Sequence, residues 1–176
     1  MKFLAISGSA RRASTNTALL HALQSAAGST HTVSVYDRVG ELPVFSPDLE
    51  FPEPPLEVAA LARAIADADG LILASPEYIR SIPGGLKNAI DWLVSRDEAI
   101  GKPIVLAHAS HRGDDMLHQL RVVLATLSDR FNEELFLRFH LMKLSPDEIG
   151  KHLSEPRHQD EMRRFLDAFA SYCKAA

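Results

Sequence analysis

Two stretches of the 176-residue chain combine residue types suited to holding a small anionic, planar ligand. The first is Ser7-Gly8-Ser9-Ala10-Arg11-Arg12-Ala13-Ser14-Thr15-Asn16-Thr17, which follows an apolar run and leads into a segment with Leu19, Leu20 and Leu23 on one helical face. Small hydroxyl residues at a helix start let an anion approach unpaired backbone N–H groups at the positive end of the helix. Arg11 or Arg12 can add a bidentate, charge-assisted contact. Neither G-x-G-x-x-G nor G-x-x-x-x-G-K-[ST] is present, so the spacing points to a monophosphate rather than a dinucleotide or a triphosphate. Ser14, Thr15 and Asn16 are equally ordinary N-cap residues, and capping alone would account for them.

The second stretch runs from Ser75 through Pro76-Glu77-Tyr78-Ile79-Arg80-Ser81-Ile82-Pro83-Gly84-Gly85 to Leu93. Its prolines stiffen the loop, Tyr78 supplies an aromatic ring near a planar ligand, and fixed backbone donors and acceptors can pair with a heterocycle's edge and tune its redox potential. Leu86, Ile90 and Leu93 stand at helical spacing and read as core, as does Trp92. Asn88 and Asp91 read as anchors of that helix or of a subunit contact. Arg80, His111 and Arg112 would stand at the pocket mouth, where they could grip an anion, although a solvated charged rim is the simpler reading. His108, His111 and His118 with Asp114 and Asp115 lack the spacing of a metal site, and none is expected. The two aspartates suit a helix N-terminus, where negative charge is favourable. The lone Cys173 sits in an expected frayed terminus without a partner to activate it.

The elements that must position these loops alternate in type. Apolar runs at Lys2–Ser7, Thr32–Tyr36, Leu71–Ala74, Ile104–Ala107 and, more weakly, Leu135–Leu141 are interleaved with helical patterns at Asn16–Ala27, Leu56–Asp67, Gly84–Ser95 and Met116–Leu127. A last helix is expected over Asp160–Tyr172. Short strands with few polar positions suit a parallel sheet covered on both faces. The expected fold is a doubly wound α/β domain, with strand order 2-1-3-4-5 favoured by the strand count over the longer dinucleotide-binding order. In that order strands 1 and 3 are neighbours whose crossovers leave on opposite faces, so both unusual loops open into one crevice. The proline-rich segment Asp37–Pro55 lies inside the second crossover and reads as a long surface loop near the same edge.

Length and composition fit one domain over residues 1–176, with 46% hydrophobic and 24% charged residues. A net charge of −4 without a basic stripe argues against a nucleic-acid binder. The initial apolar run is too short for a signal peptide and no run is long enough to span a bilayer, so no membrane association and a cytoplasmic location are expected.

Together the two loops resemble the NADPH-dependent FMN reductase family of flavodoxin-like proteins, which includes quinone, azo-dye and metal-ion reductases. Gly8-Ser9-Ala10-Arg11-Arg12-Ala13-Ser14-Thr15-Asn16 matches the family's G-S-x-R-x-x-S-x-N. From Pro76 to Trp92 every fixed position of P-E-Y-N-x-S-[IV]-P-G-x-L-K-N-A-I-D-W matches except Ile79, where the family has Asn. Leu42–Phe45 and Asp48–Glu50 resemble the family's long loop, and the similarity spans about the first 125 residues. The resemblance implies that Ser9, Arg11, Ser14, Asn16 and Thr17 hold the phosphate of FMN. It further implies that Pro76, Glu77, Tyr78, Ile79 and Ser110 line the ring, largely through main chain. It implies NADPH or NADH as donor, a small acceptor such as a quinone, flavin, azo compound or metal ion, and a homodimer or homotetramer. After strand 4 the family's Ser and paired glycines are replaced by Ala109-Ser110-His111-Arg112-Gly113, which reshapes the ring edge. A one-electron carrier and a non-catalytic binding subunit are the alternatives.

Overall fold

Period-two alternation in β1 (Lys2–Ser7) sends Phe3 and Ala5 to one face of a sheet and Leu4 and Ile6 to the other, and all four are buried. A strand buried on both faces needs helices on both sides. The computed structural model, which describes residues 1–11 and 13–175, supplies them. Five parallel strands, β1, β2 (Thr32–Tyr36), β3 (Gly70–Ala74), β4 (Ile104–His108) and β5 (Phe131–Arg138), lie in the order β2-β1-β3-β4-β5. This is the expected order, with α1 (Thr15–Ala27) on one face and α3 (Gly84–Asp91) on the other.

Each face has its own core. On one side Phe3, Ile72 and Leu137 pack with Leu19, Leu20 and Leu23 of α1, Ile149 of α5 (Pro146–Leu153) and Phe169 of α6 (Pro156–Lys174). On the other, Leu4, Leu73 and Leu106 pack with Leu61 and Ile65 of α2 (Leu56–Ala66), Leu86 of α3 and Leu120 and Leu124 of α4 (Asp114–Leu127).

Several boundaries differ from expectation for identifiable reasons. β5 begins four residues early, at Phe131, because an edge strand tolerates the polar Asn132, Glu133 and Glu134 that an apolar-run criterion rejects. Helix α3 stops at Asp91, with Leu93 and Arg96 continuing in irregular turns. Helix α5 was not anticipated, although its signal is present: Ser145 accepts from Glu148 N, Glu148 bonds back to Ser145 N, and Pro146 occupies the first turn. Helix α6 starts at Pro156 rather than Asp160. It does not fray at Cys173: that thiol is half-buried against Gly70, and burial pushes its pKa up to about 11, so its inertness has a different cause from the one expected.

The long loop is ordered around Trp92, which is fully buried and donates Nε1–H to Pro43 O (2.8 Å). Asn88 adds two bonds, donating to Pro43 O (2.9 Å) and accepting from Phe45 N (2.8 Å). Asn88 is thus an anchor of the loop, and Trp92 is core. Among the described residues no helix is long and apolar enough to cross a membrane.

Candidate functional site

The loop after β1 is built by hydroxyls. Ser14 caps α1 by accepting from Thr17 N (3.3 Å), and the Thr17 hydroxyl in turn bonds Ser7 Oγ (2.7 Å) at the end of β1. Ser9 Oγ accepts from Arg11 N (3.2 Å), which turns the chain back over the helix start. Ser9, Ser14, Asn16 and Thr17 are all buried, whereas Arg11 is exposed. The first turn of α1 holds no acidic residue, so its positive end is uncompensated by the protein. Arg12 lies outside the described residues.

Gly8 explains why this loop and the one after β3 can meet. A Cβ at Gly8 would stand 2.7 Å from Leu86 Cδ2 and 2.8 Å from Ser75 Oγ, a distance at which something must shift. The Gly8 N–H donates to Ala74 O (2.8 Å), extending the β1–β3 pairing to the point where both loops depart.

The loop after β3 forms a tight hairpin, with Tyr78 and Ser81 exchanging both backbone bonds (3.1 and 3.0 Å). Its central residues, Ile79 and Arg80, have φ of 49° and 56°. Two consecutive positive φ values are what a primed turn requires and what Asn-Gly supplies without strain. A β-branched residue there is a genuine outlier, costing of order 1–3 kcal/mol.

That turn is held from outside by α4. Arg80 Nε donates to Asp115 Oδ2 (2.6 Å), Gln119 donates to Arg80 O (2.9 Å), and Ser81 Oγ donates to Gln119 Oε1 (2.6 Å). Glu77 Oε2 accepts from Met116 N (3.1 Å), capping the first turn of α4 with a carboxylate. Asp115 holds its carboxyl below the ordinary range through the same Arg80 bond. Arg80 is therefore paired across the loop rather than aimed at the crevice.

The third wall follows β4. His108 is buried to 1% exposure, its Nε2 is 2.6 Å from Arg112 O, and burial lowers its pKa, so the ring is neutral and donates to that carbonyl. Gly113 holds φ of 100°, and a Cβ there would meet His108 Nε2 at 2.9 Å. Arg138 closes the turn by donating to Ser110 O (2.7 Å) and pairing with Asp114 (3.1 Å). His111 packs edge-on against His140, and among the described residues the one cluster of three ligand-type groups lies elsewhere. His108, His111 and His118 thus make no convergent ligand set.

A cavity of about 370 Å³ lies where these walls converge. Thr15 and Asn16 at the start of α1 form one side, Pro76 and Glu77 a second, and His108, Ala109, Ser110, Arg112 and Gly113 a third, with Met142 at the rim. Of the expected ligand residues it gathers Asn16, Pro76, Glu77 and Ser110. Ser14 and Thr17 face an adjoining cleft of about 390 Å³ between α1 and α5, and Arg11 a depression shared with Asp37, Arg38 and Glu41. Tyr78 (49% exposed) and Ile79 (98% exposed) project at the hairpin tip outside the cavity lining. Arg112, expected at the pocket mouth, lines it, whereas His108, Gly113 and Met142 were not expected as lining. Gly113 alone carried a signal, as a glycine just past a strand end.

Asn16 Oδ1 is buried without a hydrogen-bond partner. A buried acceptor left unmade costs roughly 1–3 kcal/mol, and this one belongs to a residue that lines the cavity.

Known proteins resemble this chain in sequence and in fold. A Burkholderia 2-hydroxy-1,4-benzoquinone reductase is 48% identical over 93 residues, which is 52% of this chain and 49% of that protein. A rice (Oryza sativa subsp. japonica) protein named "Probable NADPH:quinone oxidoreductase 2" is 33% identical over 177 residues, covering 94% of this chain and 85% of that one. The chain spans about half the length of the Burkholderia relative and 60% of an Escherichia coli quinone reductase. Among solved structures, FerB from Paracoccus denitrificans, a flavoenzyme NAD(P)H:(acceptor) oxidoreductase, superposes with a TM-score of 0.77 at 23% identity, covering 98% of this chain and 97% of that one. That likeness establishes the flavodoxin-like fold. The family model for NADPH-dependent FMN reductases matches residues 1–131, from β1 into β5, and the chain belongs to that family.

Proposed function

We propose that the protein binds FMN at the carboxyl edge of the sheet and uses it to carry electrons from NADPH or NADH to a quinone or another small acceptor. The observation that carries this reading is the cavity wall at the start of α1: an uncompensated helix N-terminus beside the buried, unpartnered Asn16 Oδ1.

The residues present fit the cofactor chemically. Ser9, Ser14, Thr17 and the α1 backbone would offer hydroxyl and N–H donors to a phosphate, the exposed Arg11 would add a positive charge, and the Asn16 amide would add a polar contact. Pro76, Glu77 and Tyr78, with Ser110, would line the ring, largely through main chain. Ile79, at the exposed hairpin tip, would reach the ring only from outside the cavity lining. When bound, FMN supplies the two-electron chemistry, so no acid or base of the protein is required for it. The protein's own work is positional. The neutral His108 fixes the turn at Arg112, Glu77 fixes the other wall to α4, and between them the two rigid loops keep one side of the crevice open for donor and acceptor in turn.

We also propose a homodimer or homotetramer. Phe51 (81% exposed) and Val94 (73% exposed) lie on segments joined by the Ser95–Glu50 bond (2.6 Å), an apolar surface near the long loop that a second copy would cover. Light scattering on the purified chain reads the subunit number directly.

The test of function is spectroscopic. Protein loaded with FMN should bleach on anaerobic addition of NADPH or NADH and recolour on addition of a quinone, through repeated cycles with ping-pong kinetics. Bleaching by dithionite but by neither nicotinamide would leave an electron carrier. Failure to bind FMN would leave a binding subunit without catalysis.

A further inference from the structure

Far from the crevice in sequence, the corner between α5 and α6 gathers His152, Glu155 and His158, one ligand-type atom from each lying within 4.8 Å of the others. Among the described residues this is the one such group of three. We propose that it is a binding site for a divalent transition-metal ion of the zinc class, held by two imidazoles and a carboxylate.

The argument starts with His158. Its ring is buried, packs edge-on against Phe139 (5.4 Å) and lies 4.3 Å from the His152 ring. Nδ1 stands 2.8 Å from His152 O. A carbonyl only accepts, so Nδ1 carries the proton and the lone pair of the neutral ring is on Nε2. An imidazole whose second nitrogen donates to a backbone carbonyl is oriented and made more basic in the manner of metal-bound histidines.

The other two ligands are closer to solvent and can adjust. His152 is half-buried and its Nδ1 lies 3.4 Å from Glu155 Oε1. Ligand atoms around a tetrahedral zinc stand about 3.3 Å apart, given bonds of about 2.0–2.1 Å. The separations within 4.8 Å must shorten to that spacing, and His152 and Glu155, the two less buried side chains, are the ones placed to adjust. The backbone beneath them is fixed: Glu155 N donates to His152 O (3.3 Å), His158 N to Glu155 O (3.0 Å), and Gln159 Nε2 to Leu153 O (2.7 Å). The carbonyl end of α5 and the N-terminus of α6 meet at this corner, so their opposite partial charges offset and the side chains alone carry the site.

Two imidazoles and one carboxylate suit zinc, cobalt or nickel and do not suit calcium or magnesium, which take oxygen ligands. Solvent would complete the coordination, since Glu155 is exposed. One internal competitor is present: Arg157 Nε lies 3.3 Å from Glu155 Oε2 and must release or share that oxygen. No residue of this corner takes part in the proposed electron transfer, so the two readings stand or fall separately.

The test uses the full chain, stripped with chelator and freed of it, and titrated with Co²⁺ as probe. One equivalent should bind, with visible d–d absorption that Zn²⁺ abolishes, and saturating Zn²⁺ should raise Tm by roughly 2–8 °C. His152→Ala and Glu155→Gln, both at accessible positions, should each weaken binding about tenfold or more and remove most of the absorption. Arg157→Gln should tighten it a few-fold. The six other histidines provide the control for surface binding. Absence of saturable one-equivalent binding, or an unchanged spectrum in both His152→Ala and Glu155→Gln proteins that remain folded by circular dichroism, would overturn the assignment.

Discussion

Two helices begin at the same edge of the sheet, and their first turns are furnished in opposite ways. Helix α4 meets its N-terminal charge with protein: Asp114 and Asp115 stand in its first turn and the Glu77 carboxylate accepts from Met116 N. Helix α1 has only the neutral cap of Ser14, with no acid in its first turn. Partial charges at helix ends are alike, so the difference lies in what each terminus is left to receive. The α4 terminus is filled by the loop it must hold in place. The α1 terminus stays open to an anion from solution, beside a cavity wall whose Asn16 acceptor is also unfilled. On the function proposed above, one end is structural and the other receives the ligand, and the difference lies in the acidic residues that α4 has and α1 lacks.

The largest expected effect tests the open end. Arg11→Ala should weaken FMN by about 1.5–3 kcal/mol, the range for a lost charged hydrogen bond, with little change in stability because Arg11 is exposed. Fluorescence quenching of FMN on titration measures it. A loss confined to Arg12→Ala would move the role to the neighbouring arginine, and equal affinity for riboflavin and FMN would remove the phosphate argument altogether.

The next tests the filled end. Glu77→Ala removes the carboxylate from the α4 terminus and should cost about 1–2 kcal/mol of folding stability, as other lost caps do, with Glu77→Gln recovering part. Urea unfolding gives the number. If Glu77→Ala instead left stability intact while abolishing FMN binding, the contrast between the two termini would collapse, because Glu77 would then serve the ligand alone.

The open end was legible in the sequence and most of the filled end was not. Ser9, Ser14, Asn16 and Thr17 are local to one loop, and their small polar character before an apolar helix marks the helix start, although it fits capping as well as an anion. The strap on the hairpin depends on pairs far apart in the chain: Arg80 with Asp115, Ser81 with Gln119, Glu77 with Met116. No turn rule anticipates Ile-Arg at two positive φ values, since the turn exists because α4 holds it. His108 was equally opaque, a histidine among loop polar residues that burial turns into a neutral donor. Sheet order and both cores followed from alternation. The edge strand β5 did not begin where its apolar run does, because only one of its long sides is paired.

The strained turn yields a smaller prediction. Ile79→Asn places at φ 49° a residue that tolerates the left-handed region, and should stabilise the protein by about 0.5–1.5 kcal/mol while FMN affinity is kept or increased. Thermal unfolding with and without FMN separates the two effects. Loss of FMN binding in the stabilised variant would show that the apolar side chain, 98% exposed in the free protein, contributes to the ligand site.

The smallest effect concerns the outermost strap. Asp115 has a folded-state pKa lowered chiefly by its hydrogen bond from Arg80, and both side chains are largely solvated. A depressed carboxylate contributes stability that is fully present above its unfolded pKa and is lost as pH falls through the folded value. The difference in Tm between the protein and Asp115→Asn should therefore be small and constant from about pH 8 to pH 5, and should shrink below about pH 4, where the unfolded carboxylate begins to take up its proton. Added salt should reduce it at neutral pH, since exposed pairs are screened. A difference that persists undiminished at pH 2.5 and in high salt would mean that Asp115 holds the hairpin by packing or by its neutral hydrogen bond, and that the α4 terminus is filled, in charge terms, by Glu77 and Asp114 alone.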